Sequence, residues 1–459
     1  MLLNQSENEL GDLVRKYNRS GPRYTSYPTV PVWPQGRFGE EYTRALEEEG
    51  KLELPLAVYV HIPFCSRLCT FCGCNKVITR DKDLVKRYLD ALELEIEAVT
   101  ERLGRRKKLS QLHLGGGTPT YLDMGQFERL AKMLHRHFEI EPEGEWALEA
   151  NPSVTSVEQL EGLHALGFRR ISFGIQDLDQ DVQRAINRNQ TPEQTREAIR
   201  HSRRIGYESI NFDLVYGLPL QTRSSFRRTL EGVSKLRPDR LAVYSFAHLP
   251  WMFKSHDKAL RKEDLPSPDE KIGLYLDAVG YFSAEGYEMI GMDHFALPDD
   301  ELAQAAKKRT LHRNFMGYTT LDGMNQIGLG VSAISDLGDS YWQNPKDIEE
   351  YMALASDPVP HRRMFLDEDD RLRRTVIDTL MCHGEIPVAE LESKQGFRFR
   401  EYFHEAWPTL QEFADEGLIT IAPDVISLNE TGRLFMRNVA MPFDRYMNSS
   451  STTQFSKTV

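Results

Sequence analysis

Between Pro55 and Leu249 the chain repeats one alternation: a short β-rich run, then a stretch of helical periodicity. The runs predicted as strands are Leu56–Pro63, Lys108–Leu114, Glu145–Ala150, Arg169–Gln176, Glu208–Gly217 and Arg240–Ala247. Predicted helices lie between them at Leu84–Leu103, Gln126–His137, Val157–Leu166, Pro192–Ile205 and Ser224–Leu236. Strands joined through helices pair in parallel, because a parallel connection must cross back over the sheet, and this predicts an α/β class. The unusual residues sit at or just after the C-terminal end of every run. They are His61 with the cysteine loop, Gly115–Thr118, Glu149–Pro152, Gln176, Asp213–Pro219 and His248–Pro250. Barrels collect their chemistry at that rim, so the pattern favours a barrel-like arrangement over an open sheet.

After Leu249 the alternation loosens. A helical stretch, Pro268–Ala284, leads to Tyr287–Met292, Asp293-His294-Phe295 and a segment rich in Gly, Asn and Thr from Leu311 to Ser335. The acidic run Asp367–Asp370 reads as a boundary. Helical patterns follow at Arg371–Met381, Pro387–Ser393, Glu401–Glu416 and Glu430–Val439, with a hairpin across Ala422-Pro423-Asp424. Helices plus a hairpin predict a small, mostly helical, winged-helix-like domain. A chain of 459 residues exceeds one ordinary domain. The expected division is an N-terminal segment over 1–50 that closes the substrate site, a catalytic domain over 51–365 and a C-terminal domain over 366–459.

A net charge of −12 argues against nucleic acid or an anionic membrane as partner, because both attract basic faces. It also gives the C-terminal domain a packing or lid role in preference to DNA binding. No run approaches the roughly 20 apolar residues of a membrane span. The Met1–Glu7 stretch lacks a signal-peptide core, so the expected address is cytoplasmic.

Of five cysteines, Cys65, Cys69, Cys72 and Cys74 fall within ten positions, and Cys382 stands apart. A disulfide framework spreads its cysteines to staple distant segments, whereas a tight group in one loop reads as metal ligation. The Cys-x3-Cys-x2-Cys spacing suits three irons of a cubane, one thiolate to each, with the fourth iron left open. The alternative is zinc on all four cysteines, but zinc loops usually bring paired knuckles from two separated segments. Cys74 reads either as a redox or substrate-side group or as a small loop residue, and Cys382 as a core thiol. Gly115–Thr118 follows a strand and reads either as a backbone cradle whose bare N–H groups meet a carboxylate or as a tight turn.

This motif resembles the radical S-adenosylmethionine (SAM) superfamily. More narrowly, the chain resembles the oxygen-independent coproporphyrinogen III oxidases over nearly its whole length. The likeness is carried by Arg23–Thr29, the Cys-x3-Cys-x2-Cys-x-Cys loop, Gly115–Thr120, Asp213–Pro219 and Leu311–Phe315. It implies a partial (β/α)6 barrel and a [4Fe–4S] cluster on Cys65, Cys69 and Cys72. SAM is expected on the open iron, with a second SAM molecule beside it. By the same resemblance Tyr59, Gly116, Glu149 and Ile334 match contacts to the first SAM. Phe71, Gly117, Thr118, Gln176, Arg188, Asp213 and Ala247 match contacts to the second, although Arg188 also reads as a surface loop residue. The implied reaction is oxidative decarboxylation of two propionates of coproporphyrinogen III to vinyl groups, in anaerobic haem biosynthesis. It needs an electron donor and an electron acceptor, and monomer is the expected state. Cys74, His312 and Arg313 are the candidate substrate-side residues, with Arg23 a further cation for the propionates. A haem-delivering chaperone of the same family is the rival reading. Such relatives tend to lack both the fourth cysteine and the Arg23–Thr29 segment, and this chain has both.

Overall fold

The computed structural model describes residues 7–105, 107–249, 256, 259–447 and 455–458; Met1–Ser6 and Pro250, cited above, lie outside them. The expected strands form as β1 (Leu56–Ile62), β2 (Lys108–Gly116), β3 (Glu139–Ala150), β4 (Arg170–Gln176), β5 (Ser209–Tyr216) and β6 (Arg240–Ser245). They pair in parallel in chain order, β1 to β6. Helices Lys82–Arg102, Met124–His137, Val157–Ala165, Pro192–Ile205 and Arg223–Leu236 lie between them, within two residues of the expected limits. Their starts are fixed by caps readable in the sequence. Asp123, Ser156, Thr191 and Thr222 each accept from the backbone three residues on, and the residue there reaches back, completing a capping box.

Alternation along each strand sets two different faces. Val58, Val60, Leu112, Leu114, Leu148, Ile171, Phe173, Ile210, Phe212, Leu241 and Val243 are buried in the continuous apolar core. The alternate positions are polar: Gln111, His113, Glu145, Glu149, Arg170, Ser172, Asn211, Asp213, Arg240 and Tyr244 line one small cavity of about 160 Å³. Residues of β2 and of β6 meet around that single space, so the sheet curls into a partial barrel, as expected. Beyond β6 it continues antiparallel into His294–Ala296 and Glu288–Gly291.

On the other side the structure adds what the sequence did not show. Asn325–Leu329 pairs in parallel with β1, followed by antiparallel strands Ile334–Asp336, Ser340–Gln343 and Arg362–Phe365. The segment read as loose is therefore part of a 12-stranded sheet. Its strands are only three to five residues long, too short for a period-two pattern to stand out.

From Glu368 the chain enters a small unit of helices Glu368–His383, Val388–Gln395 and Trp407–Asp415 with a three-stranded sheet. Asp367 caps the first of these helices, so the acidic run is a helix start. The hairpin joins Ile419–Ile421 to Ile426–Leu428. The single helix expected over Glu401–Glu416 is instead two, Phe399–Tyr402 and Trp407–Asp415. The N-terminal segment packs onto this unit. Tyr17 meets the rings of Phe413 and Phe435, and Arg437 donates to the carbonyls of Gly21 and Pro22 at 2.6 and 2.8 Å.

Candidate active site

The C-terminal ends of the six strands open into one cavity of about 600 Å³. The loop after β1 brings Cys65, Cys69, Cys72 and Cys74 to its wall, and the end of β2 with the turn after it supplies Gly116, Gly117 and Thr118. Glu149, Gln176, Arg188, Asp213, Phe71 and Ala247 complete the match to the sequence expectation. Tyr59 stands one layer down, stacked on His113 at 6.0 Å. Ile334 does not line the cavity; it packs beside Trp33 and Tyr341 in a separate apolar cluster.

The glycine run is dictated by its neighbours. A Cβ on Gly115 would lie 2.9 Å from the Tyr59 ring, and one on Gly116, whose φ is +118°, would lie 2.7 Å from the His61 ring. One on Gly117 would meet the Pro63 carbonyl at 2.5 Å. Only bare backbone passes between this wall and the cavity. The expectation of free N–H groups there is corrected: Gly116 donates to Glu149 at 3.2 Å, Gly117 to Ile62 at 2.8 Å and Thr118 to Phe64 at 3.0 Å. The glycines therefore supply space, and Glu149 supplies the ligand-facing charge.

Each cysteine has a distinct setting. Cys65 is buried with its sulfur 3.4 Å from the Thr118 hydroxyl, and burial pushes its thiol up to about 11. Cys72 is drawn below the ordinary thiol value by a hydrogen bond with Cys74. Cys69 lies 3.8 Å from Nη1 of Arg188, and Nη2 of the same guanidinium donates to the Gly174 carbonyl. Lys76 donates to the carbonyls of Cys72 and Cys74 at 3.0 and 3.3 Å and fastens the loop on itself. Among the described residues no three His, Cys, Asp or Glu side chains gather so as to hold a single ion. Three thiolates spread around one cavity wall fit a cluster, in which each sulfur binds its own iron.

Asp213 accepts from Ser172 at 2.9 Å and Asn211 at 2.8 Å. Desolvation and the nearby Glu149 charge push its carboxyl up to about 6. Gln176 sits at positive φ (68°), where β4 turns out of the sheet.

The substrate-side candidates are separated. Cys74 is exposed on the cavity wall. Arg313 lines neither cavity. It donates to the backbone carbonyls of Arg23 and Tyr24 at 3.1 and 2.8 Å. His312 faces Asp322 at 3.3 Å. Arg23 itself pairs with Asp293 at 2.7 Å and lies 5.7 Å from the ring of Tyr244, which lines both cavities. Tyr244 was missed in the sequence. Its signal was the inward register it shares with Arg240 on β6.

The Radical SAM superfamily model matches residues 59–233, and the HemN C-terminal domain model matches residues 366–435. The oxygen-independent coproporphyrinogen III oxidase of Pseudomonas aeruginosa is 45% identical over 452 residues, covering 98% of either chain. That of Escherichia coli is 43% identical over 451 residues, covering 97% of this chain and 98% of its own. A solved structure described as coproporphyrinogen III oxidase from Escherichia coli, a radical SAM enzyme, superposes with a TM-score of 0.89 at 42% identity. It covers 93% of this chain and 98% of the other.

Proposed function

The chain belongs to the oxygen-independent coproporphyrinogen III oxidase family of radical SAM enzymes, and from that premise we propose how its residues divide the work. The observation that supports it best is the convergence of Cys65, Cys69, Cys72, the glycine wall and Glu149 on one cavity. The protein is a SAM-dependent oxidoreductase that converts two propionates of coproporphyrinogen III to vinyl groups, giving protoporphyrinogen IX. Bound in this cavity, a [4Fe–4S] cluster and SAM supply the hydrogen-abstracting radical.

Cys65, Cys69 and Cys72 hold the cluster. Glu149, with Gly116 beside it and Tyr59 one layer down, serves the first SAM; Ile334, packed on Trp33 and Tyr341 away from the cavity, is left out of that set. Gln176, Arg188, Asp213, Phe71, Gly117, Thr118 and Ala247 serve a second. Cys74 faces the substrate. Arg23 meets a propionate carboxylate at the Tyr244 edge, with His312 the further cation of that side. Arg313 positions Arg23 by holding its backbone, which makes it a positioning residue. Abstraction at the propionate β-carbon, loss of CO2 and departure of one electron leave the vinyl group, with no proton for the protein to move. The segment over 1–50 closes the site over the domain at 51–365, and the unit at 366–459 packs behind that segment. No helix among the described residues is long and apolar enough to cross a membrane, and we assign a cytoplasmic monomer that takes electrons from one partner and passes them to another.

The test is anaerobic. The reconstituted protein is incubated with coproporphyrinogen III, SAM, a strong reductant and a cell extract that accepts electrons. Protoporphyrinogen IX together with 5′-deoxyadenosine supports the assignment. Deoxyadenosine without a vinyl product moves the substrate elsewhere, and neither product with tight haem binding favours the chaperone.

A further inference from the structure

The segment from Phe64 to Arg87 carries six cations against two carboxylates in a chain that is acidic as a whole. Within it, the two-residue strand Phe64–Cys65 pairs in parallel with Val77–Ile78, so Cys65 lies directly beside Ile78. The Thr79 N–H donates to the Cys65 carbonyl at 3.2 Å. Ile78 is 44% exposed, one of few large apolar side chains so placed. Arg80 continues from Val77–Ile78, and Lys82 and Lys86 follow on the first turns of the helix Lys82–Arg102, while Arg67, after Phe64–Cys65, lines the active-site cavity. All four are exposed, and none forms an ion pair with a described residue.

The fold does not explain these charges. Arg80 and Lys82 stand at the positive end of a helix dipole, where cations are unfavourable. Lys82 and Lys86 are like charges four residues apart on one helix face, which is unfavourable again. An apolar spot with a basic rim, against the backbone of a cysteine that enters the cavity, has the form of a small, transient docking surface.

We propose that Ile78 and its rim of Arg80, Lys82 and Lys86 dock an acidic one-electron carrier protein. The carrier delivers its electron to the cluster through the Ile78–Cys65 contact. One electron leaves the reduced carrier and reduces the cluster by one unit; no bond forms or breaks, and the oxidised carrier departs. This rests on Cys65 being a cluster ligand.

The experiment mixes anaerobic holoenzyme with a reduced acidic flavodoxin and follows the bleaching of cluster absorbance; dithionite serves as the small reductant. The Arg80→Glu, Lys82→Glu, Lys86→Glu triple variant is expected to slow reduction by flavodoxin about tenfold or more at low salt. Its iron content and its rate with dithionite stay at wild-type values. The wild-type rate with flavodoxin falls steeply as salt is added. An unchanged flavodoxin rate in the variant, or a wild-type rate indifferent to salt, overturns the proposal. Where charge reversal costs iron, the neutral Arg80→Gln, Lys82→Gln, Lys86→Gln variant and the wild-type salt slope decide by the same criteria. A wild-type protein that assembles no cluster fails the underlying reading, not the docking surface.

Discussion

The two ends of the barrel use the same residue types to opposite effect. At the N-terminal end of the strands the charges are paired. Arg170 meets Glu301 at 2.6 Å and Glu145 at 3.6 Å, and Arg240 meets Asp300 and Glu301 at 2.8 and 2.9 Å. Just outside, Lys107 and Glu49 are 2% and 1% exposed and lie 3.2 Å apart. Lys107 spends its other donors on the carbonyls of Glu49 and Leu52. At the C-terminal end, Glu149, Asp213, Gln176 and the cysteines turn toward a cavity instead. Paired charges close one end; at the other, carboxylates, an amide and thiols face the cavity. Conservative folding and permissive chemistry are thus separated along the strand axis.

That separation can be broken experimentally from either side. The largest effect belongs to the closed end. Lys107→Ala leaves the Glu49 carboxylate buried without its cation, and unfolding free energy should fall by about 3–5 kcal/mol. Denaturant titration reads this, while turnover per folded molecule stays unchanged. Lost turnover at full stability would erase the distinction. Glu149→Ala, at the open end, is the converse. Turnover with SAM should fall on the order of 10–100-fold, the scale for residues that orient a bound ligand. Stability should shift by no more than about 0.5 kcal/mol.

Arg313→Ala tests the strap that Arg313 makes by holding the Arg23 and Tyr24 carbonyls of the N-terminal segment. Release of the Arg23 and Tyr24 carbonyls should raise KM for coproporphyrinogen about tenfold, roughly the worth of one charge-assisted hydrogen bond. Deoxyadenosine formation without substrate should stay as it is. An unchanged KM removes Arg313 from the account.

The smallest effect is in pH. The Asp213 carboxyl is raised to about 6 from an ordinary 3.8, so the folded chain holds that proton more tightly than the unfolded one. Its contribution to stability is complete below about pH 4 and is lost as pH rises through about 6. Asp213→Asn should flatten the stability profile in that window, read by thermal melts across pH. A profile parallel to wild type would show that Asp213 titrates normally.

Much of the open end was legible because its signals are local. The cysteine spacing, the glycine run and the carboxylates at strand ends each lie within a few residues. The closed end and the strap were not legible. Arg23 with Asp293, Arg437 with Gly21 and Lys107 with Glu49 join residues about 60 to more than 400 positions apart, and no local period marks them. The strands from Asn325 to Phe365 were lost to their shortness. The partnered N–H groups of the glycine run were missed because the sequence shows that a backbone is bare, not where its hydrogen bonds go. Arg313 was read as a substrate cation from its charge, whereas its Nη1 donates to backbone carbonyls.

The most direct test of the open end as a cluster site is iron and sulfide content after anaerobic reconstitution, compared across single cysteine variants. One [4Fe–4S] cluster per chain is expected in the wild type and in Cys74→Ser, and none stable in Cys65→Ala, Cys69→Ala or Cys72→Ala. A cluster that survives in Cys65→Ala, or is lost in Cys74→Ser, would contradict it.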